Sequence, residues 1–115
     1  MKSLLSIIFL ISATLTLNAQ TEVNCAVGAV NTTYCYTNFD NTSFVFVSSD
    51  GSDLRVSFNA GQVELDWDQL VVLDTNGTEL YNGYGNNGDL TGLSFVSNGD
   101  TITVAISSDV TINCS

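Results

Sequence analysis

The chain has 115 residues, 44% of them hydrophobic, and carries twelve Asp and Glu against two Lys and Arg, for a formal net charge of −10. It lacks the clustered bases that grip a phosphate backbone, which excludes nucleic acid, and anionic lipid repels it unless a cation bridges the two. It is nevertheless too apolar for a disordered acidic tail, and its length predicts one small folded domain.

At the N-terminus, Lys2 precedes an apolar run from Leu4 to Leu17, broken by Ser and Thr and followed by Asn18-Ala19-Gln20. A basic start, a short apolar stretch and a small residue at the cut predict a secretory signal peptide over residues 1–19. The run is too short and interrupted for a membrane span, so we expect a secreted or cell-surface protein without direct membrane insertion. Cleavage after Ala19 leaves Arg55 as the sole base and a net charge of −11.

Residues 20–32 hold no sustained period and read as a flexible leader, with the domain following at 33–115. From Tyr34 onward, short strand patterns alternate with turn dipeptides. Phe44-Val45-Phe46-Val47 is aromatic and branched. Leu54 to Phe58 alternates, with Leu54, Val56 and Phe58 facing inward. Leu70-Val71-Val72-Leu73 reads as a buried central strand. Further strands are expected at Glu79–Tyr81, Leu93–Val96 and Thr101–Ile106, and in a last strand with Val110, Ile112 and Cys114 on one face. Asn76-Gly77, Asn82-Gly83, Asn87-Gly88 and Asn98-Gly99 mark four reversals, because Asn-Gly supplies the positive φ of tight turns. No stretch after residue 20 keeps a helical period, which predicts an all-β sandwich of two antiparallel sheets.

Three cysteines in an oxidising compartment leave one unpaired, and three pairings are open. A sandwich often brings its first and last strands together, which directs the expectation to Cys35 with Cys114, with Cys25–Cys35 as the alternative. The first pairing leaves Cys25 as a free thiol available for an intermolecular bond.

Around the central strand, Val63–Gly77 concentrates Glu64, Asp66, Asp68 and Asp74 with no base nearby in sequence. Two carboxylates about 6 Å apart repel by roughly 1–3 kcal/mol at a protein surface, so the cluster either splays into water or holds a cation. Asp66 and Asp74 have the ordinary reading of solvated turn formers. Trp67 reads as a core plug or a site lid, or else as a ligand contact. Tyr81, Tyr84 and the loop from Asn82 to Gly88 are a candidate recognition edge or a plain hairpin loop.

The run from Phe58 through Asn59-Ala60-Gly61-Gln62-Val63 to Glu64, followed by Asp68-Gln69-Leu70-Val71-Val72-Leu73-Asp74, resembles the centre of a CUB domain. Tyr36 stands eight residues before Phe44 and Glu64 twenty after it, and Ile106-Ser107-Ser108-Asp109 is similar to the family's closing Phe-x-Ser-Asp. The likeness extends over about residues 33–114. The resemblance implies a jelly-roll β-sandwich with a Ca2+ site at one end, its ligands Glu64, Asp68 and Asp109, supported by Tyr36. Oxygen donors of that kind are what Ca2+ takes, six to eight at a time. The chain departs from the family pattern in a shorter Glu64–Asp68 loop and in lacking the cysteine before the Asp. It also has Tyr84 before Gly85 where Cys-Gly would stand.

Catalysis has little to draw on. Without His there are no histidine-based triads or zinc sites, and a Glu64/Asp68 glycosidase would need a cleft that so small a domain rarely offers. We therefore expect no enzyme, but a secreted, calcium-stabilised binding or adhesion module that recognises a protein or glycan through loops at the calcium end. The alternative is a structural subunit of a matrix, surface layer or adhesin that self-associates through Cys25.

Overall fold

The computed structural model describes residues 20–114, so the expected signal peptide lies outside the described residues. Within them the chain is all-β, built from β1 (Gln20–Val23), β2 (Ser43–Ser48), β3 (Arg55–Ser57), β4 (Gln69–Leu73), β5 (Glu79–Gly83), β6 (Ser94–Val96) and β7 (Thr101–Ser107). A five-stranded sheet in the order β1-β2-β7-β4-β5 faces a two-stranded sheet of β3 and β6. Period-2 alternation dictates this layering, since successive side chains point to opposite faces. Across the large sheet, Phe44, Val104, Val72 and Tyr81 form one inner row, with Phe46 beside Ile102 and Leu70 beside Ile106. From the other layer Leu54, Val63 and Leu90 complete the buried core. Phe95 of β6 packs on Tyr81 of β5 with ring centroids 4.9 Å apart, tying the layers together.

The structure corrects four expectations. The large sheet is mixed, because β1 runs parallel to β2. The first four residues assigned to a leader are therefore an edge strand, and only the rest of 20–32 lies outside the sheets. Among the described residues no strand follows β7: Ile112 has φ +57° and both Val110 and Ile112 are exposed, since this segment has no strand beside it to complete a ladder. Nor is Asn82-Gly83 a reversal. Gly83 lies inside β5 opposite Leu70, and a Cβ there would stand 2.9 Å from the Tyr81 hydroxyl, so this glycine makes room for a phenol.

The remaining Asn-Gly steps do turn the chain, and one of them positions the acidic end. Asn87 and Gly88 both have positive φ, at 50° and 91°. Gly88 accepts the Val63 N–H at 2.9 Å, and a Cβ on it would stand 2.5 Å from the Val63 carbonyl oxygen. Gly88→Ala therefore forces a left-handed residue against a backbone one position from Glu64. We expect a loss of about 2–4 kcal/mol in unfolding free energy by urea titration, from the left-handed penalty and the overlap together.

Cys35 and Cys114 form the disulfide, the pairing expected, although neither lies in a strand; their Cα atoms are 5.3 Å apart, and Cys25 is free and exposed. A disulfide is typical of proteins outside the reducing cytosol. No helix among the described residues is long and apolar enough to cross a membrane.

Candidate metal centre

The site follows from the register of two neighbouring strands. β4 and β7 are antiparallel, and Gln69 pairs with Ser107, so the residue before β4 and those just after β7 meet at the same end of the sheet. Asp68 and Asp109, 41 residues apart, become neighbours, and the Asp109 N–H donates to Asp68 Oδ1 at 2.9 Å. Glu64 joins them through the turn that leads into β4, where the Trp67 and Asp68 N–H groups donate to the Glu64 carbonyl. One carboxylate oxygen from each of Glu64, Asp68 and Asp109 lies within 4.8 Å of the others.

Tyr36 locks this arrangement from beneath. Its hydroxyl donates to Asp68 Oδ2 at 2.7 Å and accepts the Glu64 N–H at 3.2 Å. Burial, followed by the hydrogen bond to Asp68, pushes the Tyr36 phenol up to about 12, so it is a donor throughout the physiological range. Asp68 is 0% exposed, and both of its oxygens have a partner. Glu64 is different. Its Oε2 is buried without a hydrogen-bond partner. Burial first, then the charges of Asp109 and Asp68, raise its carboxyl above the ordinary carboxylate value. Three acids held together around an orphaned oxygen, with no base beside them among the described residues, fit a hard cation. Oxygens this close can share one ion at the 2.3–2.6 Å bond lengths that are typical of calcium.

A fourth acidic residue braces the site, and sequence reasoning missed it. Asp40 is buried and accepts from the Tyr34 hydroxyl and from the Thr37 and Thr42 N–H groups. The same turn grips the end of β7: Ser108 Oγ accepts the Asp40 N–H at 2.7 Å and donates to the Thr37 carbonyl at 2.6 Å, while the Phe39 N–H donates to the Asp109 carbonyl at 2.8 Å. Ser108 in the closing motif was the available clue. Burial alone would raise the Asp40 carboxyl, but hydrogen bonds from Thr42, Tyr34 and Thr37 outweigh it and hold the group well below the usual carboxylate range. A depressed value means stability that is full above the unfolded value of about 4 and is lost as pH falls toward the folded one. We expect the urea midpoint to fall as pH drops below about 4, with a flatter pH dependence in Asp40→Asn.

The other candidate residues separate. Trp67 is no core plug: it is 66% exposed, on the turn between Glu64 and Asp68. Tyr81 is half-buried, its ring on Phe95 and its hydroxyl accepting the Gly85 N–H at 2.7 Å. Tyr84 is half-buried, and the neighbouring Asp66 carboxylate raises its phenol. Asp74 is a turn former, accepting the Thr75 and Asn98 N–H groups. Around the carboxylates, exposed apolar side chains gather on three loops. Leu65 follows Glu64, Trp67 precedes Asp68, Val110 follows Asp109, and Phe39, 71% exposed, is bonded through its backbone to Asp109. No protein-family model matches the chain, and no curated protein matches it.

Proposed function

We propose that this chain is a secreted, calcium-stabilised, CUB-like binding or adhesion module that meets an extracellular protein or glycan through the loops at its acidic end. The observation that carries this reading is the convergence of Glu64, Asp68 and Asp109, from separate parts of the chain, around a buried carboxylate oxygen without a partner. In this reading Ca2+ is held by those three side chains, Tyr36 fixes Asp68, and water or carbonyl oxygens complete the shell. Bound calcium orders the loops that present Trp67, Leu65, Phe39 and Val110, an apolar rim of the kind that marks interaction sites. Any charge left on the carboxylates favours a ligand with a basic group, an analogy with the family rather than a contact seen here.

Thermal melting with calcium and with chelator tests the reading. At a calcium concentration 100-fold above its dissociation constant, linkage gives about 2.7 kcal/mol of added stability, or roughly 10–20 °C in Tm for a domain of this size. Superimposable curves at millimolar calcium overturn it.

The exposed free thiol of Cys25 supports a second reading, a subunit of an extracellular assembly. Non-reducing gels separate the two: Cys25-dependent dimers or ladders favour assembly, and a monomer that binds a glycan or protein favours recognition.

A further inference from the structure

The two layers are unequal, and the imbalance leaves a strand-shaped gap. Between β3 and the β2–β7 half of the large sheet lies a cleft of about 1200 Å3, walled by Phe44, Phe46, Val56, Phe58, Val104 and Ile106 and bordered by Val23 and residues 29–34 of the same chain. β3 borders it with a free edge. In the β3–β6 ladder the hydrogen-bonded positions are Leu54, Val56 and Phe58, so the N–H and C=O groups of Arg55 and Ser57 point away from β6. Among the described residues these groups meet no backbone partner. An unpaired edge beside an apolar trough is the recognition surface of strand addition: main-chain bonds supply affinity, and alternate side chains fill the trough.

Charge and pattern identify the occupant. Arg55 is the sole base after residue 2, and its side chain meets only the Ser94 hydroxyl, at 3.1 Å. A strand added to β3 places alternate residues outward beside Arg55, where a carboxylate is favoured, and the others inward, where apolar groups are favoured. The N-terminal segment of the chain has this pattern: Glu22 and Asn24 on one face, Val23, Cys25 and Val27 on the other. It lies largely at the surface: three of the four β1 residues are exposed where they stand, the Glu22 side chain makes no hydrogen bond, and the segment from Asn24 to Thr33 has no strand pairing, its first residues being held by a local turn in which the Val27 and Gly28 N–H groups donate to the Asn24 carbonyl. On leaving β2, β1 gives up its edge hydrogen bonds, the bond from the Ser49 N–H to the Val23 carbonyl and the packing of Val23 against the core; strand bonds re-form at β3, and Val23 meets the apolar cleft of the second copy.

We infer that the cleft beside β3 takes the Gln20–Val27 segment of a second copy of this chain. Glu22 pairs with Arg55 on the outer face, and Val23 and Cys25 enter the cleft. Reciprocal donation between two copies closes a two-fold dimer, whereas donation in one direction grows an open chain. Formation of this contact requires no cation, so it stands apart from the calcium reading.

The test is light scattering after size exclusion on the full-length secreted chain, with calcium and with chelator. Dimer is expected to grow with concentration in both buffers. Arg55→Glu and Glu22→Lys each weaken it roughly fivefold or more, and the two together restore it. Both residues are exposed, so the variants keep their fold. As a second readout, maleimide labelling of Cys25 slows at concentrations where dimer forms, because the thiol has left solvent. A chain that stays monomeric to its solubility limit overturns the proposal. So does a dimer insensitive to the charge swap with Cys25 labelling at the monomer rate, which identifies simple exchange of β1 between β2 edges.

Discussion

Reducing Cys35–Cys114, or replacing both residues by Ser, lowers the unfolding free energy by about 4–5 kcal/mol, read as a shift in the urea midpoint. The bridge spans 79 residues, nearly the whole folded unit. In the chain-entropy account, a loop of that length confers roughly that much by restricting the unfolded ensemble. The native state adds a local term. Beyond Asp109 the tail is held by Asn113 on Asn38 at 2.7 Å and by a long 3.4 Å bond from the Cys114 N–H to the Tyr36 carbonyl. Opening the disulfide releases that tail from the segment that carries Tyr36, and Tyr36 is what fixes Asp68. In the calcium reading proposed above, reduction therefore also weakens the response to calcium. A shift worth less than about 1 kcal/mol would mean that the unfolded chain is already compact enough for the bridge to add little.

Asp68→Ala is the second large effect, an expected loss of about 3–5 kcal/mol even in chelator. It strands the buried Tyr36 hydroxyl and the part-buried Asp109 N–H, each costing about 1–3 kcal/mol when unsatisfied, and leaves a small cavity. Asp68→Asn separates this structural role from metal binding. The amide keeps the shape and an acceptor for the Asp109 N–H, and it removes one charge from a like-charged trio. In chelator it should lose about 1–3 kcal/mol, less than Asp68→Ala, because the amide NH2 faces the Tyr36 hydroxyl and leaves that proton without an acceptor while relief of repulsion returns part of the cost. Its response to calcium should be gone. If Asp68→Asn keeps the full calcium shift on melting, the three-carboxylate centre is wrong, whatever Asp68→Ala does.

Much of the strand pattern was legible because alternation of apolar residues is a local property. β2, β3, β4 and β7 lie where Phe44–Val47, Leu54–Phe58, Leu70–Leu73 and Thr101–Ile106 place them. The run Leu70–Leu73 reads as buried on both faces, yet only Leu70 and Val72 are buried, because no layer covers Val71 and Leu73 on the outer face. β1 was not legible: Gln20-Thr21-Glu22-Val23 has one apolar residue and becomes a strand only because β2 offers it a parallel edge. The failure of a final strand at Val110–Cys114 is the converse, a good local pattern with nothing beside it to pair with. Of the acidic residues, the grouping of Glu64 with Asp68 could be read from spacing. The arrival of Asp109 beside them depends on the β4–β7 register, which no local pattern encodes, and resemblance had to supply it. Asp40 went unnoticed because an Asp in a polar turn looks solvated in sequence, whereas here backbone and hydroxyl donors surround it.

The exposed indole on the turn between Glu64 and Asp68 is the only one in the chain. All tryptophan fluorescence therefore originates within one residue of the carboxylate cluster, undiluted by emission from the core. The protein carries its own optical reporter at the place where an ion or a partner would arrive, and a luminescent lanthanide seated among the three acids would lie within energy-transfer range of it without any engineered label.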